Sequence, residues 1–108
     1  MNRVALIGRI TKEIDLKSTT SGKSVTNVTL AVPRNETDRD GNKVTDFIRV
    51  TAWGKTAELL ERYVRKGDQV GIAGKIRVSK FERDGQIRES VEVVAEDITF
   101  IGSKRDEW

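Results

Sequence analysis

Apolar and polar residues alternate along most of the chain. Val4, Leu6 and Ile10 interleave with Arg3, Ala5, Ile7 and Arg9, and Val28, Leu30 and Val32 interleave with Asn27, Thr29 and Ala31. A period of two marks a strand with one buried face, so both stretches are expected as strands. Ile14 to Leu16 extends the first strand or lines its exit, and Ser21-Gly22 marks the turn into the second. The only proline, Pro33, precedes a polar run from Arg34 to Lys43. That run contains Asp40-Gly41-Asn42, able to supply positive φ at a hairpin tip. It is expected to be a long, mobile hairpin loop. Alternation returns from Val44 to Trp53 and breaks at Gly54.

Past Gly54 the period changes. Ala57, Leu60 and Val64 recur at helical spacing, Leu59 and Tyr63 lie four apart beside them, and Lys66-Gly67 supplies a basic last turn and a stop. The spacing predicts one helix of about three turns, with Tyr63 packed against the sheet. Gln69 to Phe81 and Ile87 to Ile101 alternate again, and Asp84-Gly85 between them is a second hairpin signal. Three strands, one helix and two strands is the order of an OB-fold. That all-β architecture is a five-stranded Greek-key barrel with one helix between strands 3 and 4. At 108 residues the chain fits one such domain, expected over residues 1–102, with a short C-terminal tail at 103–108.

Parity then assigns faces. Val44, Ile48, Val50 and Ala52 share one face of the third strand and read as core, which sends Thr45, Phe47, Arg49, Thr51 and Trp53 outward. In the fourth strand Val70, Ile72, Ile76 and Val78 read as inward, and Ala73, Lys75, Arg77, Ser79 and Phe81 as outward. A large ring left in water forfeits about 1.5–3 kcal/mol relative to burial, so a covering surface is expected. In an OB-fold the third strand and the last hairpin flank one groove. Phe47, Trp53 and Phe81 then become stacking platforms bordered by Arg49, Lys75, Arg77 and Lys80, an arrangement that suits the base faces and phosphates of single-stranded nucleic acid. A subunit contact, or cover from the Arg34–Lys43 loop, would also account for the rings.

The formal charge is +3, and its distribution says more than its size. Residues 62–83 carry seven cations against two acids, whereas residues 84–101 carry one cation against five acids. Two such strands side by side make a basic stripe beside an acidic one, which either orients a phosphate backbone or is an ordinary solvated surface. Histidine and cysteine are absent, which excludes imidazole bases, thiolate nucleophiles, disulfides and Cys/His zinc sites. Gly54-Lys55-Thr56 imitates the end of a P-loop, but Arg49 stands where that motif needs glycine, and Gly74-Lys75 fails at Gln69 and Ile76. Glu58 with Glu61, and Glu96 with Asp97, lack the acid cluster of a two-metal nuclease. No cofactor and no catalysis are expected. No apolar run approaches the ~20 residues of a membrane span, and the N-terminus lacks a signal peptide, so a cytoplasmic protein is expected.

Several linked segments extend this reading: residues 2–12, Thr29-Leu30-Ala31-Val32, Thr45-Asp46-Phe47-Ile48-Arg49-Val50, Ala52-Trp53-Gly54-Lys55-Thr56-Ala57-Glu58 and Tyr63-Val64-Arg65-Lys66-Gly67-Asp68. Through them the chain resembles the bacterial and phage single-stranded DNA-binding protein family over nearly all of residues 2–101. The resemblance implies a homotetramer, a dimer of dimers, that coats single-stranded DNA in replication, recombination and repair without sequence preference. It implies that first strands pair across the dimer through Val4, Ala5, Leu6 and Ile7, and that the stacking rings fall on Phe47, Trp53 and Phe81. A further ring found near the long hairpin in some members is missing here, where Glu36 or a neighbour stands. Arg3, Arg34, Arg39 and Lys43 remain as phosphate contacts.

Many members end in an acidic, aromatic tip that recruits replication and repair proteins. Asp106-Glu107-Trp108 either imitates that tip or is a frayed end. Stacking suits RNA as well as DNA, so the choice of DNA rests on the resemblance. An OB-fold primosomal accessory acting mainly through protein recruitment, and a metal-dependent nuclease, are the competing functions.

Overall fold

Each alternating stretch becomes a strand in the computed structural model, which describes residues 1–103. The elements are β1 (Val4–Ile10), β2 (Lys17–Ser18), β3 (Ser24–Thr37), β4 (Lys43–Trp53), α1 (Gly54–Tyr63), β5 (Gln69–Arg83) and β6 (Gln86–Gly102). The expected tail from residue 104 onward, with Asp106-Glu107-Trp108, lies outside the described residues. The sheet runs β1-β5-β6-β4-β3 and closes on itself where β1 meets β3 at Arg9↔Ala31 and Ile10↔Leu30. All pairings are antiparallel except a two-rung parallel seam between β4 and β6, Val50↔Val93 and Thr51↔Val94. This is the expected five-stranded OB barrel, with its helix between β4 and β5. The two-residue β2, unforeseen in the alternation, adds to the edge of β3 at Lys17↔Val25 and Ser18↔Ser24.

The inward residues form one core. Ile10, Val28, Leu30, Val50, Ala52, Val70 and Ile72 are buried inside the barrel, and Ala57, Leu60 and Val64 join them from the helix and its exit. Val4, Leu6, Val32 and Ile48 are only partly buried and pack against this cluster. The helix stops at Tyr63 because Val64 turns extended, its N–H donating to the Leu60 carbonyl at 2.9 Å. Gly67 then adopts φ 90° and donates to the Ile10 carbonyl at 2.8 Å, tying the helix exit to β1. Tyr63 does not pack on the barrel. It is 60% exposed, because the inward stripe of this short helix is already filled by Ala57, Leu60 and Val64.

Two other expectations change. The polar run after Pro33 is mostly strand: β3 continues to Thr37 through an irregular register, and the loop is only residues 38–42. Asp38 closes that loop, its carboxylate accepting from the Asp40 and Asn42 N–H groups at 2.9 Å, with Gly41 at φ 80°. Ile76 and Val78, expected in the core, are 45% and 52% exposed. The β5–β6 register shifts at Ala73/Gly74, and beyond it the two strands leave the barrel as a projecting hairpin arm. Parity is kept along the arm, but the barrel interior has ended. Its former inward face, with Ile76, Val78, Ile87 and Val91, meets solvent. The arm turns at Asp84-Gly85, both at positive φ (54° and 75°), as the hairpin signal predicts.

Candidate nucleic-acid interface

The outer face of β4 continues without a break onto one face of the arm. Residues paired across a ladder point the same way, so Thr51↔Val94 joins β4 to β6, and Val94↔Lys75, Glu92↔Arg77, Ser90↔Ser79 and Arg88↔Phe81 join β6 to β5. Phe47, Arg49, Thr51, Trp53, Lys75, Arg77 and Phe81 therefore share one surface. Phe47 is 67% exposed, opposite Ala31, whose small side chain leaves the ring uncovered. Phe81 is 44% exposed near the arm's tip, paired with Arg88. Trp53 is half-buried at the junction with the helix, and the Lys23 ammonium lies 5.4 Å from its ring centre. Its six-residue separation from Phe47 along β4 corresponds to about 20 Å of strand.

The other predicted cations scatter more widely. Arg34 is engaged by acids: its guanidinium donates to Asp46 at 3.0 and 3.1 Å and to Glu36 at 3.0 Å. The Asp46 carboxyl is accordingly held below its ordinary pKa by the Arg34 hydrogen bond, and the guanidinium's own pKa is raised. Arg39 is exposed in the 38–42 loop and Lys43 is exposed at the start of β4. Arg3 is exposed just before β1, next to Asn2, whose amide bonds both backbone groups of Ile76 at the arm's root (2.8 and 2.9 Å). Lys80 does not border the aromatic face. It alternates onto the arm's apolar side, opposite Glu89.

Between the rings lies a cleft of about 300 Å³, lined by Lys12, Asn27, Thr29, Arg49, Thr51, Ser90 and Glu92 among others. Thr51, expected to be an outward residue, is only 3% exposed, because the root of the arm covers it. Glu92 is bonded by the Thr51 hydroxyl and the Arg77 guanidinium, and Arg49 donates to the Ser90 hydroxyl. Burial pushes the Glu92 carboxyl up, but Thr51, Arg77 and the charge of Arg49 together outweigh it and hold the pKa below its ordinary value. The group is an anion at neutral pH. The network's stabilisation is complete above the usual carboxylate range and is lost as pH falls through the lowered pKa.

The Thr51 hydroxyl also lies 2.8 Å from Asn27 Oδ1. A hydroxyl carries one hydrogen, and an ionised carboxylate only accepts, so Thr51 donates to Glu92. The Asn27 carbonyl oxygen faces the same hydroxyl, so two acceptors converge on its single hydrogen.

Face parity did not single out Asn27, Ser90 or Glu92. Counting outward from the two-residue turn at Asp84-Gly85 would have placed Glu92 opposite Arg77 and Lys80 opposite Glu89. The acidic stripe thus partly neutralises the basic one. Among the described residues no three acids gather to hold a metal ion, and no helix is long and apolar enough to cross a membrane.

Known proteins are similar to this chain over nearly all of its length. The single-stranded DNA-binding protein 1 of Clostridium acetobutylicum is 41% identical over 108 residues, covering 98% of each chain. The single-stranded DNA-binding protein of Oceanobacillus iheyensis is 40% identical over 105 residues; 96% of this chain spans 65% of that longer protein. A solved Plasmodium falciparum SSB complex with ssDNA superposes with a TM-score of 0.81 at 28% identity, covering 94% of this chain and 95% of that one. The sequence model of the Single-strand binding protein family matches residues 1–101, and the chain belongs to that family.

Proposed function

We propose that the chain is a non-catalytic, cytoplasmic coat protein for single-stranded DNA in replication, recombination and repair, binding as a dimer of dimers without a strict sequence requirement. The observation that carries the reading is the exposed Phe47 ring on a face continuous with Arg49, Lys75, Arg77 and Phe81. Unpaired bases offer flat faces to such rings, and phosphates answer the guanidinium and ammonium groups. Duplex DNA hides its base faces in the stack and offers this surface only phosphates.

Anisotropy titrations of a mixed-sequence single strand and the matching duplex should therefore show a marked single-strand preference. Single-strand affinity should drop about tenfold or more between 50 and 200 mM salt, as several phosphate contacts release counterions. Equal affinity for duplex would overturn the proposal.

Self-assembly is supported by β1. Among the described residues Val4 to Gly8 pair only with β5, and the backbone groups on the other edge invite a further strand. A two-fold antiparallel pairing of β1 with its copy would bring Val4, Ala5, Leu6 and Ile7 together across the contact. The outer face beside it carries Ala5, Ile7, Gly71, Ala73, Thr99 and Ile101, with Asp97 opposite Ala73. Packing of two paired sheets through that face would complete a tetramer.

Sedimentation should find four chains for the native protein and a smaller species for Ile7→Asp, because Ile7 is 57% exposed and a carboxylate there would be buried in the contact. A native protein that sediments as one chain at micromolar concentration would refute the assembly.

A further inference from the structure

The cleft between the rings contains more recognition chemistry than a coat protein indifferent to sequence requires. Stacking and phosphate contacts need flat side chains and cations, yet here an anionic carboxylate is held in the middle of a surface otherwise suited to a polyanion. Glu92 repels phosphate. It is nonetheless fixed from two sides, by Thr51 and by Arg77, and is mostly sheltered, with its side chain 19% exposed.

The cleft's volume, about 300 Å³, lies at the lower end of small-ligand clefts, a size for one planar base rather than a nucleotide chain. Phe47 and Trp53 stand at its two ends along β4, so a strand stacked on both rings passes over it. The groups lining it differ in kind: the Glu92 carboxylate accepts, and the Arg49 guanidinium and the Lys12 ammonium donate.

We propose that this cleft is a base-edge subsite, in which Glu92 accepts a hydrogen bond from the exocyclic amino group of a nucleobase while Arg49 donates to the adjacent ring acceptor. The inference rests on the single-strand reading and deepens it. Cytosine has the matching edge, an N4 amino donor beside the N3 acceptor, and carboxylates accept from that amino group in nucleic-acid recognition generally. Thymine presents the O4 carbonyl at the same place, facing the Glu92 oxygens without a hydrogen between them. The subsite therefore adds a preference for amino-bearing bases at one position in each stretch of bound strand, on top of sequence-tolerant stacking.

The test compares oligo(dC), oligo(dT) and oligo(dC) carrying N4,N4-dimethylcytosine, all of one length, against the native protein and Glu92→Gln. Absolute affinities also reflect how each strand stacks on itself, so the quantity read is the change in the dC-to-dT affinity ratio between the two proteins. Glu92→Gln keeps the shape and replaces one acceptor with a donor suited to thymine O4. The ratio is expected to move about fivefold or more toward dT, within the range of a base-edge contact. The native protein should bind the dimethylated strand correspondingly more weakly than oligo(dC), a comparison that needs no variant.

If Glu92 only positions Arg77, or only repels phosphate, both strands shift together and the ratio stays fixed; that result overturns the subsite and leaves the coating function standing. Native protein that binds the dimethylated strand as tightly as oligo(dC) overturns it as well. Failure of the native protein to bind any of the strands overturns the coating reading, and this inference with it.

Discussion

Replacing Phe47 with alanine is expected to weaken single-strand binding about 5- to 150-fold while leaving the fold unchanged. A base stacked on an aromatic side chain is worth about 1–3 kcal/mol, and each 1.4 kcal/mol is a factor of ten in affinity. Phe47 is suited to show the full effect because its ring is 67% exposed and its removal opens no cavity. Stability should stay within about 0.5 kcal/mol of native, as for surface substitutions in general. Titration of a dT oligomer reads the binding, and circular dichroism melting reads the fold. A folded variant with native affinity would remove Phe47 from the interface. Trp53→Ala is a less clean experiment, since that ring is half-buried and also packs beside Lys23.

Gly74→Ala should strike the fold instead. A Cβ at this position would lie 2.0 Å from the Val94 carbonyl oxygen and 2.9 Å from its carbon, both backbone atoms that no rotamer change can move aside. The glycine sits where the β5–β6 register shifts and the arm departs, so relief of the clash would push β6 away from β5 beside the parallel seam. Overpacking of this kind costs about 1–3 kcal/mol and sometimes more. In a domain of this size that corresponds to a melting temperature lower by about 5–20 °C. Melting should be compared at one protomer concentration, because assembly stabilises folded chains by mass action. Gly102→Ala, with nothing within 4 Å of its added Cβ, serves as the control and should melt close to native. A native-like melt for Gly74→Ala would mean that β5 and β6 do not approach so closely there.

Local chemistry made most of the barrel legible. Alternation located every long strand, and Ser21-Gly22, Asp40-Gly41 and Asp84-Gly85 marked turns that are realised with Gly22, Gly41, Asp84 and Gly85 at positive φ. The helical stripe of Ala57, Leu60 and Val64 is buried as its spacing requires. Parity also brought Phe47, Arg49, Trp53, Arg77 and Phe81 to a common face, because alternation holds through the arm.

What parity does not contain is where the barrel stops. Ile76 and Val78 keep the inward phase of Ile72, yet among the described residues no strand lies across from them, so the same pattern that means core at residue 72 means exposed surface at residue 78. The extent of β3 beyond Pro33 was hidden in a similar way, since polar residues in a projecting ribbon resemble a loop. Thr51 and Glu92 belong to a cross-strand network whose partners are 41 residues apart in the chain, and only the parallel seam between β4 and β6 brings them together.

The two-sided hairpin arm restricts how its length can vary. One side carries Lys75, Arg77 and Phe81, the other Ile76, Val78 and Val91, and neighbouring residues belong to opposite sides. A single residue inserted into one strand must be absorbed as a bulge, like the one at Ala73/Gly74, or it reverses the faces of that strand's residues beyond it. Matched additions of two residues to each strand would preserve both surfaces and simply move Phe81 farther out. The arm is in this sense a ruler graduated in dipeptides, and a longer or shorter version of it would change how much strand one subunit spans without redesigning the barrel.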